Sequence, residues 1–146
     1  MWWTLLALCV LAGLFIESYR RWLAVKQLWG VVARFRDGGT PDAERIADLN
    51  EATVDVGSGL ALAGVVPRSC AKASLSIGAL AALLQTADLV RGDAQLPWLS
   101  PAISFLGGCV GAFGCAVLGR AAEAEARRLR SEWAALIRRS SRDVAS

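Results

Sequence analysis

Few residues of this chain have the types or the spacing that covalent or metal chemistry requires. It contains no His, which removes the usual general base and the commonest metal ligand, and with them the Ser-His-Asp, Cys-His and HExxH mechanisms. The four cysteines, Cys9, Cys70, Cys109 and Cys115, could in principle hold a metal or exchange disulfides. They lack CxxC spacing and have no neighbouring ligands, so they read as small buried hydrophobes. The acids nearest the apolar stretches, Glu17 and Asp88, lie at the ends of those stretches, where a charge is interfacial. No acid lies at a centre, so a proton relay contained within the chain is not expected. With no paired acids and no nucleophile beside a base, the expectation is a non-enzyme without catalytic residues, metal site or cofactor.

The elements that hold the remaining residues are set by where the charges are not. The composition is 55% hydrophobic and 20% charged, unusual for a water-soluble domain. Residues 1–16, 73–87 and 94–119 carry no charge at all. This predicts an all-α integral membrane protein with three transmembrane helices and cytoplasmic helical extensions. The expected boundaries are a first span over 1–19, a cytoplasmic helical region over 20–68, a second span over 69–90, a periplasmic turn over 91–96, a third span over 97–119 and a cytoplasmic tail over 120–146. A signal peptide is the rival reading of the first stretch, but no basic segment precedes Trp2 and no small-x-small site precedes Glu17. The charge-free stretch from Val56 to Val66 is about half the length a span needs and is expected as a buried or interfacial helix.

Counting bases sets the orientation. Of the 16 Lys and Arg residues, all but Arg91 then fall on one side, which by the positive-inside rule is the cytoplasm. The expected location is a bacterial inner membrane, multi-pass, with the N-terminus periplasmic and the C-terminus cytoplasmic. Trp2, Trp3 and Trp98 would mark the outer boundary and Trp22 the inner one. A net charge of +3 is too small to suggest nucleic acid. Beyond Glu17, the stripe Trp22, Val25, Trp29 and Val32 calls for a partner helix, the alternative being a helix lying on the lipid surface. Asp37-Gly38-Gly39 should break the chain, and Thr40-Pro41-Asp42 should cap a new helix with Ile46, Leu49 and Thr53 inward. Leu129, Trp133 and Leu136 form an apolar ridge on the tail, and Ser140 to Ser146 is expected to be disordered.

Within a bilayer, helices associate through small side chains that let backbones approach. Gly107, Gly111, Cys115 and Gly119 recur every four residues, with Gly108, Ala112 and Ala116 beside them. Ser74, Gly78, Ala82 and Thr86 do the same in the second span. Helix packing is therefore expected at Gly78, Ala82, Gly107, Gly111 and Cys115. The first span, richer in large aliphatic residues, is expected to face lipid. Two small-residue faces exceed what one hairpin seam needs, which favours an oligomer with an inner interface.

The order of parts resembles the MotA/TolQ/ExbB family of inner-membrane motor and energy-transducing subunits. The resemblance rests on the acidic and basic end of the first span (Ile16-Glu17-Ser18-Tyr19-Arg20-Arg21), the hairpin of two spans and the helical tail. Val66-Pro67 followed by Ser76-Ile77-Gly78-Ala79-Leu80-Ala81-Ala82 resembles the family's Pro and Leu-Leu-Gly-Thr-Val-x-Gly. Ser100-Pro101-Ala102-Ile103-Ser104 with Gly111 to Ala116 is similar to its third span. The resemblance implies a homo-oligomeric ring around single-span partner helices of the TolR/ExbD type, with Ala79, Ser104 and Cys109 facing a central cavity. Ala79 stands where the family has a pore threonine, and neither Glu nor Thr occurs from Ser104 to Cys109, which implies a divergent or non-conducting member. The other reading is an accessory structural subunit of a larger respiratory, photosynthetic or secretion complex.

Overall fold

A computed structural model describes residues 2–36, 43–92 and 99–143. In them the chain forms three helices and no strand: α1 (Trp2–Arg36), α2 (Ala43–Val90) and α3 (Leu99–Asp143). At ~1.5 Å per residue they are roughly 50, 70 and 70 Å long. Thr4 of α1 meets Gln85 of α2 and Ser100 of α3 at one end of the bundle, and Trp29 meets Glu125 towards the other. The order is therefore up, down, up, with α1 parallel to α3. After Val90 the amides of Arg91 and Gly92 donate to the carbonyls of Ala87 and Leu89, at 3.2 and 3.1 Å. Gly92 takes a φ of +80°, the left-handed conformation that closes a helix and that glycine adopts without a Cβ clash.

The two halves of the bundle pack by opposite rules. In the half containing the start of α1, the interior is mainly small or polar: Ala7, Ser18, Ser74, Ala81, Gln85, Ser104 and Cys115 are buried, together with Leu11. Most large apolar side chains point outward on all three helices, among them Leu6, Leu83, Leu106 and Phe113, the last 73% exposed. Val56–Val90 and Leu99–Arg139 are long and apolar enough to cross a membrane, with only 22% of the apolar window in each buried. A core helix of a soluble protein would be mostly buried, so two such helices fit a membrane location. The other half has an ordinary apolar core. Val25 and Val32 of α1, Val56, Leu60 and Ala63 of α2, and Ala122, Ala126, Leu129 and Trp133 of α3 close on one another there.

That core answers the question posed by the Trp22 stripe, whose buried members pack on helices and not on a lipid surface. It also corrects three expectations. Val56 to Val66 is no separate helix: α2 runs unbroken from Ala43 to Val90 through Pro67, and Val56, Leu60 and Ala63 form the inward face of that stretch. Proline removes one backbone donor, but its ring is fully buried and its Cβ lies 3.0 Å from where a Cβ on Gly119 would stand, so packing holds the helix across it. The helix of the tail reaches Asp143, past Ser140. Finally, α1 does not simply face lipid, because Leu8, Leu11 and Phe15 seat on glycines of α3. The expected break at Asp37-Gly38-Gly39, the cap at Thr40-Pro41-Asp42 and the segment of Pro97 and Trp98 lie outside the described residues. So do the side chains of Trp2, Trp3, Ile46 and Leu49.

Four arginines share one height. Leu14 pairs with Cys115 and Trp29 with Glu125, which brings Arg20 and Arg21 level with Arg120. Pro67 against Gly119 and Arg68 against Glu123 bring Arg68 to the same level. From there towards the start of α1 the charges among the described residues are Glu17 beside the arginines, Lys72 one turn in, and Asp88 and Arg91 at the far end. Leu129 is fully buried, and Leu129→Ala is expected to lower stability by about 2–5 kcal/mol. Leu83→Ala, on the outer face, should change it by less than about 0.5 kcal/mol, both read as thermal unfolding of the detergent-solubilised protein by circular dichroism.

Candidate functional site

Where α2 crosses α3 the two backbones are in contact. A Cβ on Gly78 would stand 2.6 Å from Gly108 Cα and 3.0 Å from the Ser104 carbonyl oxygen. A Cβ on Gly108 would meet Gly78 Cα at 2.7 Å and the Ser74 carbonyl oxygen at 3.0 Å. Both backbones occupy the space a side chain would need, so neither position accepts one without separating the helices. Gly78 thus packs as a contact residue, with Gly108 as its partner. Ala82, one turn on, is half-buried.

The parallel ridge on α3 serves a different neighbour. Gly107 lies under Leu8 and Leu11, and Gly111 under Leu11 and Ser74, at 3.5 to 3.6 Å from an added Cβ. Gly114 lies under Phe15 at 2.9 Å. Cys115, fully buried, points its thiol at the Leu14 carbonyl, 3.8 Å away, which also accepts from Ser18 Oγ at 3.0 Å. The small residues of α3 therefore serve two seams of a single chain, Gly108 and Gly119 against α2, Gly107 and Gly114 against α1, and Gly111 against both. Ser74 Oγ is buried with no hydrogen-bond partner; size, not polarity, explains its place in the ridge with Gly78 and Ala82.

Two turns from the crossing, towards the end of the bundle, lies a closed polar ring. Gln85, 8% exposed, donates from Nε2 to Thr4 Oγ1 at 3.1 Å. Its Oε1 accepts from Ser100 Oγ at 3.1 Å and from Ser104 Oγ at 3.2 Å. Thr4 Oγ1 and Ser100 Oγ are 3.2 Å apart. Ser100 has one proton and gives it to Gln85, so Thr4 is the donor in that last contact. The ring runs one way, Gln85 to Thr4 to Ser100 and back to Gln85, and binds all three helices with neutral groups.

At the level of the arginines, two glutamates of α3 reach the other helices. Arg68 Nη2 contacts Glu123 Oε1 at 2.8 Å and Oε2 at 3.0 Å. Gly64 leaves room for that carboxylate, which a Cβ there would strike. Trp29 Nε1 donates to Glu125 Oε2 at 3.3 Å. The Arg68 side chain is 71% exposed, so the pair holds register more than it stabilises.

Ser104 belongs to the polar ring and is 1% exposed, which turns it inward in its own chain and away from any cavity shared between copies. Ala79 and Cys109 follow the crossing glycines by one residue and stay partly exposed. The four cysteines are free, Cys70 and Cys115 buried and Cys9 exposed. Among the described residues no group of three or more His, Cys, Asp or Glu could hold a metal ion. Neither Thr4 nor Gln85 is marked by a motif in the sequence. The available signal is that an amide in an uncharged stretch must find partners.

No protein-family model, curated protein or solved structure matches this chain.

Gln85→Leu leaves three hydroxyls to find other partners and is expected to destabilise the bundle by about 1–2 kcal/mol. Gly78→Leu should be far more damaging, abolishing the compact form. Trypsin resistance of the purified protein, read against wild type, separates the two outcomes.

Proposed function

We propose that this chain is a three-span inner-membrane subunit that works by assembly and not by catalysis, as a divergent, non-conducting relative of TolQ and ExbB. In this reading copies of the chain form a ring around single-span partner helices of the TolR/ExbD type. Support for three spans comes from the matching heights of the uncharged stretches. In α3, Leu99 to Gly119 carries no charge and covers roughly 30 Å, the thickness of a bilayer's hydrocarbon layer. Residues 2–16 of α1 run alongside it and end at the same arginine level as α2 and α3. Outward large side chains and inward small or polar ones are the arrangement that lipid favours. With the arginines at the cytoplasmic face, the N-terminus is periplasmic and the C-terminus cytoplasmic.

The observation that carries the assembly reading is an uncovered apolar stripe on the aqueous side of those arginines. On α2, Val54 is 72% exposed and Leu62 and Val65 are exposed as well, with Gly57 and Ala61 between them also exposed. Nothing lies within 4 Å of a Cβ on Gly57. Arg127, Arg128 and Arg130 of α3 are exposed at the level of Val54 and Gly57, so lipid is a poor cover for that end of the stripe. A second polypeptide helix does: each large side chain covered contributes about 1.5–3 kcal/mol, and the small residues let the backbones approach. No carboxylate lies within the uncharged stretches, and the polar ring satisfies its own groups, so a proton-driven step would draw its acid from the partner.

The alternative, an accessory subunit of a larger complex, is favoured by one specific finding. Gly107, Gly108, Gly111 and Gly119 of α3 all meet other helices of the same chain, which leaves less of that ridge for a second copy. Native mass spectrometry of the complex, purified from membranes through a C-terminal tag in mild detergent, decides between them. Several copies of the chain with one or two small single-span proteins support the ring. One copy among unrelated large subunits makes it an accessory component. A lone monomer contradicts both. In the ring, Val54→Lys combined with Leu62→Lys is expected to shift the species to monomer while helical content is unchanged.

A further inference from the structure

The strongest unassigned surface lies on the outer side of α1 at the arginine level. Tyr19 and Trp22 stack obliquely, ring centroids 5.6 Å apart and planes at 38°. The Lys26 ammonium sits over the Trp22 ring, 4.1 Å from its centroid. Glu17 binds Arg21 closely, Nε to Oε1 at 3.0 Å, and Arg20 only loosely, at 3.8 Å. The Arg20 side chain is 75% exposed, Tyr19 is exposed, and Leu23 lies beside them.

We infer that Tyr19, Arg20, Trp22 and Lys26 form a docking site for the headgroup of an anionic phospholipid in the cytoplasmic leaflet. The inference rests on the three-span reading, which puts this patch at the height of the lipid phosphates. A carboxylate partner would neutralise Lys26. An aromatic face holds the ammonium in place and leaves its charge free for a phosphate. Lys26 is seven residues from Tyr19, about 10 Å along the axis, and folds back over Trp22 towards the level of Tyr19. Glu17 pairs with Arg21 and Arg20 and lies on the opposite side of the helix from Lys26, which leaves the Lys26 side of the patch positive. Tyr19 supplies a neutral hydrogen-bond donor, and the indole and phenol rings suit the boundary between headgroup and chain. A zwitterionic lipid carries its own ammonium beside the phosphate, so the patch selects lipids that lack one.

The test uses the full chain reconstituted in phosphatidylcholine vesicles containing a trace of spin-labelled phosphatidylglycerol or phosphatidylcholine. Electron paramagnetic resonance measures the fraction of each held against the protein. The wild type is expected to retain phosphatidylglycerol preferentially, and Arg20→Gln with Lys26→Gln should reduce that preference by about fivefold for each charge removed, as expected for basic groups at an anionic surface. Arg127→Gln with Arg130→Gln removes the same charge two turns or more beyond the arginine level and should leave the preference unchanged. An equal loss in that control, or no preference in the wild type, overturns the site while the three-span reading stands. No restricted lipid of either kind overturns both.

Discussion

Two backbones in contact at Gly78 and Gly108 set the rest of the structure. Because neither residue has a side chain, α2 and α3 approach until each Cα occupies the other's missing Cβ position. That contact fixes both the distance between the helices and their register. In the fixed register Gln85 reaches Ser100 and Ser104 on one side of the crossing. On the other side Pro67 covers Gly119 and Arg68 finds Glu123. In lipid there is little gain from burying one apolar surface on another, so close packing and interhelical hydrogen bonds must supply the association. The crossing provides the first, and the ring around Gln85 provides the second.

The same three helices change packing rule partway along their length. On the side of the uncharged stretches the interior is mainly Gly, Ala, Ser, Cys and one Gln, joined by Leu11, with most Leu and Phe outside. Beyond the arginines the order reverts, with Leu129, Trp133, Val25 and Val56 inside and Arg outside. Continuous helices carry the geometry of one half into the other, so the antiparallel register set at Gly78 also determines which residues meet in the second core. Pro67 lies just inside the change. Its missing amide would weaken an isolated helix, yet here its ring is held between helices and α2 continues.

Much of this was legible in the sequence, for physical reasons that also mark the limit. Charge-free lengths and the one-sided distribution of Lys and Arg report directly on the apolar zone and its edge. The periodicity of Gly107, Gly111 and Cys115 reported that one face of α3 was small. It did not report what fills that face, because a repeat gives the direction of a side chain around its own axis and nothing about its neighbour. Leu8, Leu11 and Phe15 fill it from α1, so a ridge that looked available for a second copy is used within the chain. For the same reason Ser104 was assigned to a cavity that it does not face. Val56 to Val66 reads as a separate helix because its charge-free length is about half a span, whereas tertiary contacts carry α2 on through Pro67 and Arg68. The Gln85 ring joins residues up to 96 positions apart, beyond the reach of any local pattern.

The central claim is that the half of the bundle with outward Leu and Phe lies in lipid and that the arginine level is its cytoplasmic edge. Nitroxide labels placed singly at Leu6, Leu83, Phe113 and Arg130, in a chain whose four cysteines are replaced by Ala, test this in reconstituted vesicles. Oxygen concentrates in lipid and a nickel chelate in water, so their collision rates with each label report its surroundings. The account predicts high oxygen and low nickel access at Leu6, Leu83 and Phe113, and the reverse at Arg130. High nickel access at Leu6 would remove α1 from the membrane, and at Leu83 or Phe113 it would contradict the account as a whole.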